Sequence, residues 1–122
     1  MATIKSYTDL KQSKVLSKIL PLESADMYLW SSGKRYYIEA MDDGDFNEEE
    51  GHVRAWSLAA LLGVLPEING IPLTLEKVKA EDGYEGYYYH IEYKDKILIP
   101  YSKNPVDACC ELILRLHELK ML

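Results

Sequence analysis

Cysteine is scarce in this chain, and histidine nearly so. Its two cysteines, Cys109 and Cys110, are neighbours. On a helix their side chains diverge, outside ordinary disulfide geometry. No cross-linked framework can be read from them, and that points to a reducing compartment. The three histidines, His52, His90 and His117, stand far apart, with no HExxH and no CxxC in the chain, so no metal-ligand spacing is present. Neither a glycine-rich phosphate loop nor a Gly-x-Ser-x-Gly elbow occurs. Neither a catalytic residue nor a cofactor or metal site is therefore expected. Long hydrophobic runs are missing as well. The longest nearly uncharged stretch, Arg54 to Pro66, falls short of the roughly 20 apolar residues a bilayer span needs. The N-terminus alternates lysines with apolar residues and offers no continuous apolar region of a signal peptide. The expected location is cytoplasmic, with no membrane partner.

Positive charge is also in deficit, with 14 Lys and Arg against 20 Asp and Glu and a formal net charge of -6. Phosphate backbones are held by clustered cations, so a nucleic-acid partner is not expected. Lys5, Lys11, Lys14 and Lys18 form a loose basic cluster, and they read as the solvated face of a helix.

What is present describes one α+β domain over residues 1–122. A chain of 122 residues is the size of a single domain. It can bury roughly two-thirds of its unfolded surface without a metal or disulfide. A hydrophobic fraction of 48% beside 28% charged residues is ordinary for a folded protein and excludes disorder of the whole chain.

The first helix is expected from about Thr8 to Leu20. Ser6 or Thr8 is its cap, Ser6-x-x-Asp9 resembles a capping box, and Leu16, Ile19 and Leu20 are its buried stripe. Asp26 to Ala40 reads as a hairpin turning at Ser32-Gly33. That turn pairs Leu29 with Tyr36 and Met27 with Ile38 on a core face, with Tyr28 against Tyr37 and Trp30 against Arg35 on the other. Arg35 is then placed to lie on the Trp30 ring. Residues 42–51 form an acidic loop. Its alternation of Asp43, Asp45, Asn47 and Glu49 imitates the first half of a calcium loop. Glu48 and Arg54, however, occupy the positions of the obligatory glycine and the bidentate glutamate. A solvated loop is expected. The apolar run Arg54 to Pro66, closed by Gly63 and Pro66, reads as a central helix buried on several sides.

Three strands follow, Leu73 to Ala80, Tyr84 to Tyr93 and Ile97 to Tyr101, with Asp82-Gly83 as a two-residue turn. The final helix runs from Pro105 to about Lys120, capped by Asn104, with Val106, Cys109, Cys110, Ile113 and Leu116 buried. The expected fold is an antiparallel hairpin and three-stranded meander packed with three helices, in the order α-β-β-α-β-β-β-α.

Tyrosine is the unusual residue, with ten in the chain. With Asp82-Gly83 as the turn, Leu73 and Leu75 share a face with Tyr88, His90 and Glu92. A two-residue connection at Lys94-Asp95 adds Ile97, Ile99 and Tyr101 to that face and makes it the core. A three-residue connection makes the Tyr87, Tyr89, Ile91, Ile97, Ile99 face the core instead. Under the first, preferred register, Tyr87, Tyr89 and Tyr93 join Tyr28, Trp30 and Tyr37 either as a partly exposed aromatic surface suited to a protein partner or to a homodimer, or as half-buried rings beneath helices that cover both sheet faces. The competing expectation is a small-molecule binding protein or minor hydrolase with a pocket lined by His90, Tyr88 and Glu92.

Several stretches resemble one family: Tyr7-Thr-Asp-Leu-Lys-Gln-Ser-Lys, Leu20-Pro-Leu-Glu-Ser-Ala-Asp-Met-Tyr28, Trp56-Ser-Leu-Ala-Ala-Leu-Leu-Gly-Val-Leu-Pro66 and Asn104-Pro-Val-Asp-Ala-Cys109. They are similar to small uncharacterised proteins of Bacteroides-type gut bacteria, their phages and mobile elements. The resemblance implies a bacterial or phage setting and a cytoplasmic location. It assigns no activity, cofactor or catalytic residue.

Overall fold

Asp9, rather than Ser6 or Thr8, begins the first helix. In the computed structural model, which describes residues 5–41, 45–66, 73, 75–79, 85–89, 91–93, 96–98 and 101–122, α1 spans Leu10–Leu16. Gln12 N donates to Asp9 Oδ1 at 2.8 Å while Asp9 N donates to Gln12 Oε1 at 3.1 Å. This is a complete capping box, shifted three residues from the expected one. Thr8 cannot serve as the cap because its hydroxyl is committed inward. Thr8 is fully buried, its Oγ1 lies 2.7 Å from Ser13 Oγ, and it accepts from Trp56 N at 3.1 Å.

The hairpin forms from β1 (Met27–Ser32) and β2 (Arg35–Ala40). Its turn is Gly33-Lys34, one position later than expected, with Gly33 at φ 65°. Positive φ at the first central position is what a type II′ hairpin turn asks of glycine. The strands therefore pair Leu29 with Ile38, Trp30 with Tyr37 and Ser31 with Tyr36. A shift of one position on each strand preserves parity, so each residue keeps its expected face and changes only its opposite neighbour.

A short strand that the sequence did not announce, β3 (Val53–Ala55), pairs with the other side of β1, giving the sheet order β2-β1-β3. It takes Arg54 and Ala55 away from the expected central helix. Ser57 caps α2 (Leu58–Val64) through Ala60 N, and Ser57 is itself fixed by the Asp26 carboxylate, which accepts from Ser57 N at 2.8 Å. The acidic loop is partly folded: Glu48–Glu50 make a 3-10 turn capped by Asn47 and closed by Gly51 at φ 85°.

The second part of the chain supplies β4 (Glu76–Lys79), β5 (Glu85–Tyr88), β6 (Ile91–Tyr93), β7 (Lys96–Leu98) and β8 (Tyr101–Ser102). The sheets are ordered β4-β5-β8 and β6-β7, all antiparallel. Lys96 lies opposite Tyr93, leaving the expected two residues between β6 and β7. The β4–β5 pair differs. Glu76 lies opposite Tyr88 and Lys79 opposite Glu85, a slip of one residue from the register that an Asp82-Gly83 turn would impose (Asp82 and Gly83 lie outside the described residues). A one-residue slip exchanges the faces of a strand. Leu73 and Leu75 thus side with Tyr87 and Tyr89, and the preferred assignment of Tyr88 to the core face is corrected.

The described residues form an α+β fold with three helices and antiparallel sheets, in the expected order of helices and strand groups, with β3 added before α2 and five short strands after it where three were expected. The helix at its centre is the last one, α3 (Pro105–Glu118). Val106, Ala108, Cys109, Leu112, Ile113 and Leu116 are all fully buried on it, each large aliphatic contributing about 1.5–3 kcal/mol by leaving water. On α2 only Leu61 is fully buried, and Leu62 is 41% exposed, so the expectation of a central α2 is overturned. Asn104 caps α3 as expected, accepting from Val106 N at 2.9 Å. One cluster of buried residues joins Leu16, Trp56, Leu61 and Tyr89 to this helix.

Candidate interaction edge

The outer strand of the first sheet is an exposed edge. β2 pairs with β1 on one side, and among the described residues no strand pairs with it on the other. Five of its six residues are exposed, Ile38 being half-buried. Met41 N donates to Asp26 O at 2.8 Å, extending the hairpin ladder at an odd-numbered position. Alternate residues of an antiparallel strand turn their N–H and C=O groups to opposite sides. Arg35, Tyr37 and Glu39 therefore address β1, and Tyr36, Ile38 and Ala40 address the open side. An unpaired edge of this kind is a template for another strand.

Aromatic side chains flank that edge on both faces of the sheet. Tyr37 is 42% exposed and stacks on Trp30 with ring centroids 4.7 Å apart. This stack replaces the expected contact of Arg35 with Trp30. Tyr36, expected in the core opposite Leu29, is 50% exposed, because its partner Ser31 lies at the exposed end of the hairpin.

The other expected surface residues do not join them. Tyr28 is 3% exposed, covered by the folded end of the acidic loop. His52 stacks on it at 5.1 Å, Phe46 meets it edge-on at 5.7 Å, and its hydroxyl donates to Glu39 Oε2 at 3.0 Å. Arg54 lies 4.6 Å over the Phe46 ring and pairs with Glu48. Tyr89 is fully buried, its hydroxyl 2.8 Å from Cys109 Sγ. Both were expected on the surface, and burial corrects that. Tyr87 is half-buried in β5, a strand of a different sheet. Tyr93 is placed by its backbone alone, in β6. Of the six, the structure brings Trp30 and Tyr37 together at an exposed place, and Tyr36 belongs with them. A corrected turn position was the signal that would have found Tyr36.

The alternative site fares differently. His90 lies outside the described residues. A groove of about 450 Å³ opens elsewhere, lined by Lys14, Lys18, His52 and Arg54 among others. Two of its polar groups are already engaged: Arg54 with Glu48, and His52 Nδ1 accepting from Asn47 N at 3.0 Å. Burial raises the Cys109 thiol, and pushes Cys110 up to about 12, so neither is a thiolate nucleophile near neutral pH. Among the described residues no group of three or more His, Cys, Asp or Glu side chains is placed to hold a metal ion, and no helix is long and apolar enough to cross a membrane.

No protein-family model matches the chain, and neither a curated protein nor a solved structure does.

Proposed function

We propose that this protein works by binding another protein chain along the open edge of β2, as a non-enzymatic accessory factor. Cytoplasmic, mobile-element surroundings follow from the family resemblance. The observation that carries the reading is the combination on β2 of outward-facing backbone groups at Tyr36, Ile38 and Ala40 with two exposed tyrosines. Strand addition takes its affinity from main-chain hydrogen bonds and its specificity from alternate side chains. Exposed tyrosines are favoured at such contacts because they supply apolar area with a polar tip. The net charge of -6 favours partners with basic surfaces and disfavours nucleic acid.

The test is affinity capture from bacteria producing the tagged chain, wild type against Tyr36→Ser/Tyr37→Ser. Both side chains are exposed, so the substitution leaves the core intact. The variant is expected to lose at least one protein that the wild type retains, an untagged copy of the chain itself included. Identical captured sets would remove β2 from the account.

A further inference from the structure

We infer that the strand completing the β2 edge is β2 of a second copy of this chain, paired antiparallel about a two-fold axis through Tyr37. The inference rests on the reading of β2 as a docking edge and names its occupant. It follows from the order of side chains along the strand, Arg35-Tyr36-Tyr37-Ile38-Glu39.

Backbone geometry first limits the registers. Hydrogen-bonded pairs in a new ladder must be formed by residues whose N–H and C=O groups face outward, here Tyr36, Ile38 and Ala40. Even-numbered residues therefore meet even-numbered residues, and registers displaced by one are forbidden. Among the permitted registers, the one centred on Tyr37 pairs Tyr36 with Ile38 of the second copy, and Ile38 with its Tyr36. Each pair exchanges two backbone hydrogen bonds. Tyr37 then meets its own symmetry mate in a non-hydrogen-bonded pair, the kind in which side chains approach more closely.

Charge selects the same register. Arg35 and Glu39 lie two residues either side of Tyr37 and on its face of the strand, so the two-fold places Arg35 of each copy opposite Glu39 of the other. Opposite charges directly across an antiparallel pair are stabilising, and like charges there are destabilising. Moving the register by one permitted step in either direction loses both pairs. Arg35 is exposed and has no hydrogen-bond or ion-pair partner among the described residues, and Glu39 engages Oε2 with Tyr28, leaving Oε1 for a partner. Charge on an edge strand ordinarily guards against pairing. Here the two charges are opposite in sign and symmetric about the centre, so they guard against other strands and match this one. On the same face the Trp30–Tyr37 stack would meet its mate and continue as four rings across the axis. The interface is isologous and closes on itself, giving a dimer with one sheet running through both copies. Its small area belongs to the weak, transient class, so its assembly responds to concentration.

The experiment is sedimentation equilibrium over a concentration series of the full chain, with four samples beside the wild type. Arg35→Glu alone and Glu39→Arg alone each place like charges across both pairs, and each is expected to weaken dimerisation about tenfold or more. An equimolar mixture of the two, and the double variant Arg35→Glu/Glu39→Arg, restore opposite charges and are expected to dimerise as the wild type does. Because Glu39→Arg removes the acceptor of the Tyr28 hydroxyl, Glu39→Gln runs beside it, keeping that acceptor and removing only the charge. It is expected to fall between wild type and Arg35→Glu. A wild type that stays monomeric, a dimer indifferent to Arg35→Glu, or a mixture that fails to restore association would each overturn the inference. A monomeric wild type whose captured partner is still lost in Tyr36→Ser/Tyr37→Ser would end self-pairing and leave the docking edge standing. A monomer with unchanged partners would end both.

Discussion

The Tyr89 hydroxyl sits 2.8 Å from the Cys109 sulfur, and both side chains are fully buried. This contact joins the second sheet to α3, and it decides which face of β5 is interior. The ring supplies most of the attachment, because an aromatic side chain buries far more surface than one weak O–H···S contact can offset. Tyr89→Phe is therefore expected to cost about 1 kcal/mol or less, and Tyr89→Ala about 3–5 kcal/mol, as read by urea unfolding. Equal losses for the two substitutions would show that the hydroxyl, and not the ring, holds the sheet.

The same contact bears on the cysteines. Burial raises both thiols, the Tyr89 hydroxyl tempering the effect at Cys109, and Cys110 is pushed up to about 12. At pH 8 the native Cys110 thiolate then amounts to on the order of one part in ten thousand. Alkylation by iodoacetamide is expected to proceed only as fast as the protein opens and to accelerate sharply in urea. Rapid labelling of the native chain would mean that the α3 face is more accessible than its packing indicates.

Thr8 gives the sharpest test of how α1 is held. Its backbone N–H donates to Trp56 O at 2.9 Å, its hydroxyl accepts from Trp56 N at 3.1 Å, and it shares a hydrogen bond with Ser13. Thr8→Val keeps the shape and leaves Trp56 N and Ser13 Oγ without this partner in a buried place. The expected cost is about 1–3 kcal/mol, seen as a lowered urea midpoint with an unchanged slope. Thr8→Ser, which keeps the hydroxyl, is expected to recover most of it. A Thr8→Val protein as stable as Thr8→Ser would contradict this role.

Those residues also mark where sequence reasoning reached and where it stopped. The cap and stripe of α3 were legible because Asn104-Pro105 and the spacing of Val106, Cys109, Ile113 and Leu116 depend only on local geometry. The hairpin was legible to within one position, and because the error preserved parity its faces survived. β3 was not legible: Val53-Arg54-Ala55 is extended because β1 offers it a ladder, and no local pattern records that. The Tyr89 face was misassigned for a related reason. A one-residue register slip is invisible in alternation alone and is set by what α3 offers to pack against. For the candidate edge, sequence supplied the aromatic residues of the hairpin. It could not supply their sorting into the buried Tyr28 and the exposed Tyr36 and Tyr37. That sorting depends on Phe46 and His52 folding over one end of β1.

The pH response of the N-terminal segment is expected to have two opposite limbs. Lys5 Nζ lies 2.7 Å from Asp107 Oδ1 and 3.1 Å from Asp9 Oδ2, and Gln12 Nε2 also donates to Asp107 Oδ1 at 2.7 Å. The group thus ties the start of α1 to the first turn of α3. Partial burial acts to lower the Lys5 value, but hydrogen bonds and charge from Asp107 and Asp9 outweigh it and raise the amine above 10.5. At Asp9 burial acts to raise the carboxyl. The Gln12 N–H and the Lys5 ammonium outweigh that and hold it below 3.8. A depressed carboxyl contributes stability that is present above its unfolded value and lost as pH falls through the folded one. A raised amine contributes stability that is present below its unfolded value and lost as pH rises through the folded one. Lys5→Gln is therefore expected to lower the urea midpoint by a constant amount from about pH 5 to about pH 9. The difference should shrink towards zero beyond either end. Exposure of the partners keeps the plateau small, within about 1 kcal/mol. A difference that widened in acid would have the wrong sign for Asp9, and one that stayed constant beyond both ends would show that Lys5 acts through its methylene packing alone.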